Sequence, residues 1–222
     1  MRRRNTLQAR WIRVLSGLLI CLAVTGSTST TPRTPGLTDS ELIEALRGGG
    51  YIIYFRHAAT DASQPDEVDE VGSWASCDPS RMRQLSDGGR AVSRAIGEAM
   101  RVSGVPVGQV WASEYCRTVE TAQLMTLGAV RTTTDIINMN VASYVGGRAH
   151  LIDTTRRRLA TSPPPGTNTI LVSHGLVLDA AADVYLAEGE AAVFQPLGNE
   201  TFSFVARVTP ENWAALAETV VQ

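Results

Sequence analysis

Four residues in this chain have types that could do chemistry together: Arg56 with His57, Arg117, and His174. Arg56-His57 closes the apolar run Tyr51-Ile52-Ile53-Tyr54-Phe55, which reads as a strand buried on both faces. Arg117 lies just past Val107 to Ala112, a second such run, and His174 just past Thr169 to Val172, a third. In open α/β sheets ligands bind at the C-terminal ends of the strands, so the four residues are expected to share one sheet edge. Two arginines and two histidines there suit a tetrahedral dianion. Guanidinium groups bind phosphate oxygens in bidentate fashion and stay charged at any working pH. A histidine titrating near ~6.5 is partly neutral at neutral pH and can attack phosphorus. Neighbouring arginines favour that neutral form until a phosphate balances them, and the second histidine then donates to a phosphoryl oxygen in the transition state. The scheme calls for no metal and no other cofactor. His150, on an expected helix, has no such context and reads as a surface or packing residue.

The elements that must position these residues alternate along the chain. Thr38 and Glu41 form a capping-box pattern before a short helix stopped by Gly48-Gly49-Gly50. After the first strand comes a polar loop, 59–83, whose acidic stretch Asp66 to Glu70 reads as solvated or as a lid against highly anionic substrates. Ser86 can cap a helix over Asp87 to Val102. The second strand leads into a helix over "SEYCRTVETAQLMTLG", followed by a weaker strand around Val130 to Ile136 and a helix over Arg148 to Thr161. Beyond the third buried strand, Leu176 to Leu186 is helical in pattern. Ala191 to Leu197 and Thr201 to Val208 read as closing strands, and Glu211 to Glu218 as a last helix. Alternation of this kind predicts a single α/β domain: a three-layer α/β/α sandwich around a mostly parallel sheet. Trp74, Trp111 and Trp213 read as packing residues.

Three blocks in this order resemble the histidine phosphatase (phosphoglycerate mutase-like) superfamily: "FRHAAT" its Arg-His-Gly signature, "SEYCRTVETA" its second-arginine block, and "ILVSHG" its second-histidine block. The resemblance spans Thr38 to about Val208. It implies the same sandwich fold, His57 as the nucleophile that becomes phosphohistidine, and Arg56, Arg117 and His174 as the rest of the phosphate pocket. Thr60 is implied as a further phosphate contact. The chain departs from the pattern at two places. Ala58 stands where the family has glycine, which is costly only at positive φ. The proton donor is also missing: the segment "DIINMNVASYVGG" has Asn138 and Asn140 and no glutamate, and Gly175 stands where another branch has aspartate after the second histidine. Glu188, Glu190 and Asp61 are the candidate general acids, with Asp135 and Asp153 as further substitutes.

The first 26 residues read as an export signal. Met1 to Arg13 carries five arginines and no acid, and Val14 to Val24 is far shorter than the ~20 apolar residues of a membrane span. Cleavage is expected near Gly26, with an uncleaved anchor as the alternative. A Ser/Thr/Pro-rich tether, 27–37, precedes the domain, 38–222. Beyond residue 26 the chain has 15 arginines, no lysine and 22 acidic side chains, a net charge of −7. That balance argues against nucleic acid as a partner, and no membrane span is expected in the mature form. Cys77 and Cys116 are the two cysteines past the signal and are expected to form one disulfide, the alternative being two unpaired buried thiols.

Together these observations predict a secreted, periplasmic or cell-envelope phosphatase that acts without metal on a small phosphorylated substrate or a phosphoprotein. The alternative is an envelope module that binds phosphate groups and turns little over. A third reading is an intracellular phosphoryl-transfer enzyme held by an N-terminal anchor. A missing acid would favour aryl phosphates or phosphoramidates, because an unprotonated alkoxide leaves badly.

Overall fold

The computed structural model describes residues 37–221; the expected signal, its cleavage point and nearly all of the tether lie outside the described residues. Twelve elements follow in order: α1 (Asp39–Gly48), β1 (Ile52–Arg56), α2 (Asp87–Val102), β2 (Val107–Ser113), α3 (Cys116–Met125), β3 (Val130–Thr133), α4 (Arg148–Ala160), β4 (Asn168–Ser173), α5 (Gly175–Ala182), β5 (Ala191–Gly198), β6 (Thr201–Val208) and α6 (Pro210–Val221). One six-stranded sheet has the order β3-β2-β4-β1-β5-β6. Its β1–β4, β2–β4 and β2–β3 pairs are parallel, and β5 and β6 close one side antiparallel.

The side-chain period of a strand divides the core in two. Ile53 and Phe55 of β1 join Val110, Ile170 and Val193 under α1, α2, α3 and α6, where Leu46, Met100, Met125 and Trp213 pack. Ile52 and Tyr54 face the other way, with Leu171 and Phe194, under Leu151 and Leu159 of α4 and Val177 and Leu178 of α5. A strand covered on both faces has to be apolar throughout, as β1 is.

Local chemistry sets the element ends. The α1 capping box is complete, with Thr38 Oγ1 accepting from Glu41 N and Glu41 accepting from Thr38 N. Ser86 Oγ accepts from Gly89 N at the start of α2. Two expected elements end early. β3 stops at Thr133 because Ile136 and Ile137 turn fully into the core, while Asp135 O accepts from the hydroxyls of Thr154 and Thr155. The helix expected over Leu176 to Leu186 stops at Ala182, where Asp183 takes a left-handed conformation (φ 55°). The chain then turns back so that Leu186 O accepts from Arg56 Nη1 at 2.9 Å. Among the described residues no helix is long and apolar enough to cross a membrane.

Candidate active site

β1, β2 and β4 are adjacent and parallel, so their C-terminal ends deliver Arg56-His57, the turn into α3, and His174 to one cleft of about 240 Å³. Arg56, His57, Arg117 and His174 all line it. His57 N donates to Ser173 O at 2.9 Å, which continues the β1–β4 ladder by one residue beyond the strand. The two imidazoles meet edge to face with centroids 5.4 Å apart. Both are buried, as is Arg117.

His57 Nδ1 lies 2.9 Å from Ala58 O. A carbonyl can only accept, so the proton sits on Nδ1 and the Nε2 lone pair is free. Burial pulls His57 down to about 3, assisted by Arg117, Arg56 and Arg83 and opposed by the bond to Ala58. His174 is lowered too, first by burial and then by Arg117, His57 and Arg56. Both rings are therefore neutral where they stand among these arginines. Ser113 Oγ lies 2.9 Å from His174 Nε2, Asn138 Nδ2 lies 3.4 Å from its Nδ1, and the Tyr115 ring packs edge to face against it. Tyr115 also stacks under Arg117, 4.4 Å from ring centroid to guanidinium carbon.

Three arginines face this cleft, not two. The Nε atoms of Arg56, Arg83 and Arg117 are each buried without a hydrogen-bond partner. An unpaired buried N–H costs free energy, and three guanidinium groups lining one cleft form a site suited to an oxyanion. Ala58 is fully buried and is not among the residues with positive φ, so its methyl group brings no backbone strain. Gly175 has a packing role at the start of α5. A Cβ there would lie 3.3 Å from Arg56 Cδ and 3.4 Å from its Nη1, so any side chain at this position would crowd the guanidinium.

The candidate acids separate sharply. Glu188 lines the cleft: its Oε1 accepts from Thr60 Oγ1 at 2.9 Å and stands 3.7 Å from Arg56 Nη2 and 3.9 Å from His57 Nδ1. Thr60 is thus engaged with Glu188 and is not part of the cleft lining. Glu190 accepts from Ala187 N and approaches Arg207, away from the cleft. Asp61 is taken up by Ser63 and Gln64 in the exposed loop, Asp135 by Arg158 and Asp153 by Arg157. Asp61, Glu190, Asp135 and Asp153 are corrected on that ground: hydrogen bonds and ion pairs elsewhere hold their carboxylates.

Sequence reading missed Arg83; it named Asp66 only within an acidic stretch that could form a lid, Ser113 and Tyr115 only within the block that carries Arg117, and Asn138 only within the segment that lacks an acid. For Arg83 a signal exists: the chain must return to the sheet edge before Ser86 can cap α2, so residues just ahead of Ser86 fall near the site. Asp66 sits inside an acidic run, where nothing local separates it from its neighbours. Cys77 and Cys116 are joined in a disulfide that ties the 59–83 loop to the first turn of α3, next to Arg117.

No family model matches this sequence, and no curated protein matches it. Solved structures do. The protein histidine phosphatase SixA in complex with tungstate superposes with a TM-score of 0.50 at 14% identity, covering 73% of this chain and 98% of that one. A mycobacterial glucosyl-3-phosphoglycerate phosphatase in complex with VO3 gives a TM-score of 0.48 at 14% identity, over 71% and 98%. The likeness to SixA shows that the two chains share a fold.

Proposed function

We propose that this chain, which has the fold of the histidine phosphatase SixA, is an exported phosphatase that works through a phosphohistidine on His57. One observation carries the reading: a neutral imidazole with its Nε2 lone pair free lines a cleft together with three arginines and a second buried histidine. The fold neighbour is itself a protein histidine phosphatase, solved with a tetrahedral oxyanion.

Arg56, Arg83 and Arg117 bind the phosphoryl oxygens, and His174 donates to one of them as charge builds. His57 Nε2 attacks phosphorus while Ala58 O holds the Nδ1 proton, so the ring carries its positive charge against a carbonyl dipole. Guanidinium groups meet the charge that a divalent metal would otherwise meet, and turnover is expected to be metal-independent. Export agrees with the arginine-rich, acid-free N-terminus and with the Cys77–Cys116 disulfide, a bond that persists in oxidising compartments. The substrates are phosphomonoesters or phosphoramidates of small molecules or proteins.

The test is hydrolysis of an aryl phosphate by the full-length chain in EDTA, wild type against His57→Ala, with quenching in alkaline detergent to trap phosphorylated protein. The expected result is turnover and an acid-labile, base-stable phosphoprotein in the wild type, and neither in the variant. A folded wild type that binds inorganic phosphate without turnover would favour the phosphate-binding module.

A further inference from the structure

The acid that the segment after Arg117 lacks has a counterpart in the loop before α2, in the lining of the same cleft. Asp66 Oδ1 accepts from Arg117 Nη1 at 2.8 Å and Oδ2 from Nη2 at 3.2 Å, a two-pronged pair in which Arg117 is 3% exposed and Asp66 22%. Asp66 lines the same cleft as His57 and His174. Its backbone is fixed by a bridge to Met82 and by Glu67 N donating to Arg81 O at 3.2 Å. The disulfide fastens this loop beside Arg117.

Among the described residues a second carboxylate, Glu188, lines the cleft and is engaged on the Nδ1 side of His57. It is near His57 Nδ1, while attack comes from Nε2. In an in-line displacement the leaving oxygen departs on the face of phosphorus opposite Nε2. Glu188 approaches the ring nitrogen that does not attack, and Thr60 N and Oγ1 both donate to its carboxylate.

We propose that Asp66 is the general acid of this phosphoryl transfer, which rests on the phosphatase reading above. The incoming phosphoryl group takes over the fork of Arg117. The Asp66 carboxylate, deprived of its cation and set beside a dianion, takes up a proton and places it on the departing oxygen. The charged and titratable groups facing it are Arg117 and Tyr115 from the start of α3, with His57, His174, Arg56, Arg83 and Glu188 around the cleft. The step balances. The Nε2 lone pair forms the N–P bond, the P–O bond breaks toward the leaving oxygen, and that oxygen receives the Asp66 proton. Water then attacks phosphorus and gives a proton to the Asp66 carboxylate, and the N–P electrons return to Nε2. Phosphate departs, and Asp66 releases its proton as it pairs with Arg117 again.

The experiment compares full-length wild type, His57→Ala and Asp66→Asn on p-nitrophenyl phosphate, whose leaving group needs little protonation, and on glycerol 3-phosphate, whose alkoxide needs it. Asp66→Asn is expected to lower kcat on the alkyl ester by about 100-fold or more and on the aryl ester by less than about tenfold. Equal losses on both substrates would mean that Asp66 only positions Arg117, and unchanged turnover of the alkyl ester would mean that it does neither; each overturns the proposal. The wild type supplies a second measure that needs no variant: kcat across substituted aryl phosphates is expected to vary shallowly with leaving-group basicity, and a steep dependence refutes an acid in the cleft. Full activity in His57→Ala would overturn the phosphatase reading itself, and the role of Asp66 with it.

Discussion

His57 and His174 are neutral because they are buried beside arginines, and that has a consequence for stability. Burial and Arg117 take His57 down to about 3 and move His174 in the same direction. In the unfolded chain both titrate near ~6.5. Between those limits the unfolded chain binds protons that the folded chain refuses, so stability is complete above about pH 6.5 and falls as the pH drops below it. The melting temperature is expected to decline steadily from about pH 6.5 toward pH 4, and His57→Asn to flatten the decline. Inorganic phosphate is expected to oppose it, because an anion among the three arginines makes a protonated imidazole acceptable. Identical pH profiles for wild type and His57→Asn would contradict this account.

The start of α2 braces the turn after His57. Ser86 N and Oγ both donate to Ala59 O, at 3.0 and 3.2 Å, and Gly89 brings the first turn of the helix against that same peptide. A Cβ at Gly89 would lie 2.1 Å from Ala59 O, whereas one at Gly88 would meet nothing closer than Ser86 Oγ at 3.8 Å. Two adjacent glycines on one helix thus have opposite expectations. Gly89→Ala must push the Ala58–Ala59 backbone, costing about 1–3 kcal/mol and reducing turnover with it. Gly88→Ala should be neutral or stabilising by up to about 1 kcal/mol, since only helix propensity changes. Urea denaturation of the two variants, together with aryl phosphate turnover, tests the contrast; equal effects would remove α2 from the positioning of His57.

Across the whole molecule, two kinds of connection assemble the cleft: the sheet, which aligns the ends of β1, β2 and β4, and the disulfide, which spans 39 residues and holds the loop bearing Asp66 and Arg83 against α3. Removing the bridge with Cys77→Ser is expected to cost about 2–4 kcal/mol. It should also raise KM, because the loop residues lose their register over Arg117. Thermal unfolding with and without reductant, paired with KM, checks this; a lower melting temperature with unchanged KM would confine the bridge to stability. How much of this was legible beforehand follows from the range of each interaction. The layered fold, the strand ends and the four residues Arg56, His57, Arg117 and His174 could be read from the chain, because strand burial writes a continuous apolar run and α/β topology puts ligands at the strand ends. The helix caps at Thr38 and Ser86 were equally readable, being contacts over three residues. Arg83 and Asp66 reach the cleft only through the path of a 25-residue polar loop, and polar loops carry no periodicity from which such a path can be inferred. The same holds for the carboxylates. Asp61, Glu188 and Glu190 look alike as sequence, and which of them faces the cleft is decided by partners such as Thr60, Ser63 and Arg207. Sequence alone determined the chemistry available and the elements that carry it; tertiary structure decided which charges meet, because side-chain pairing depends on distances of a few ångström between segments far apart in the chain.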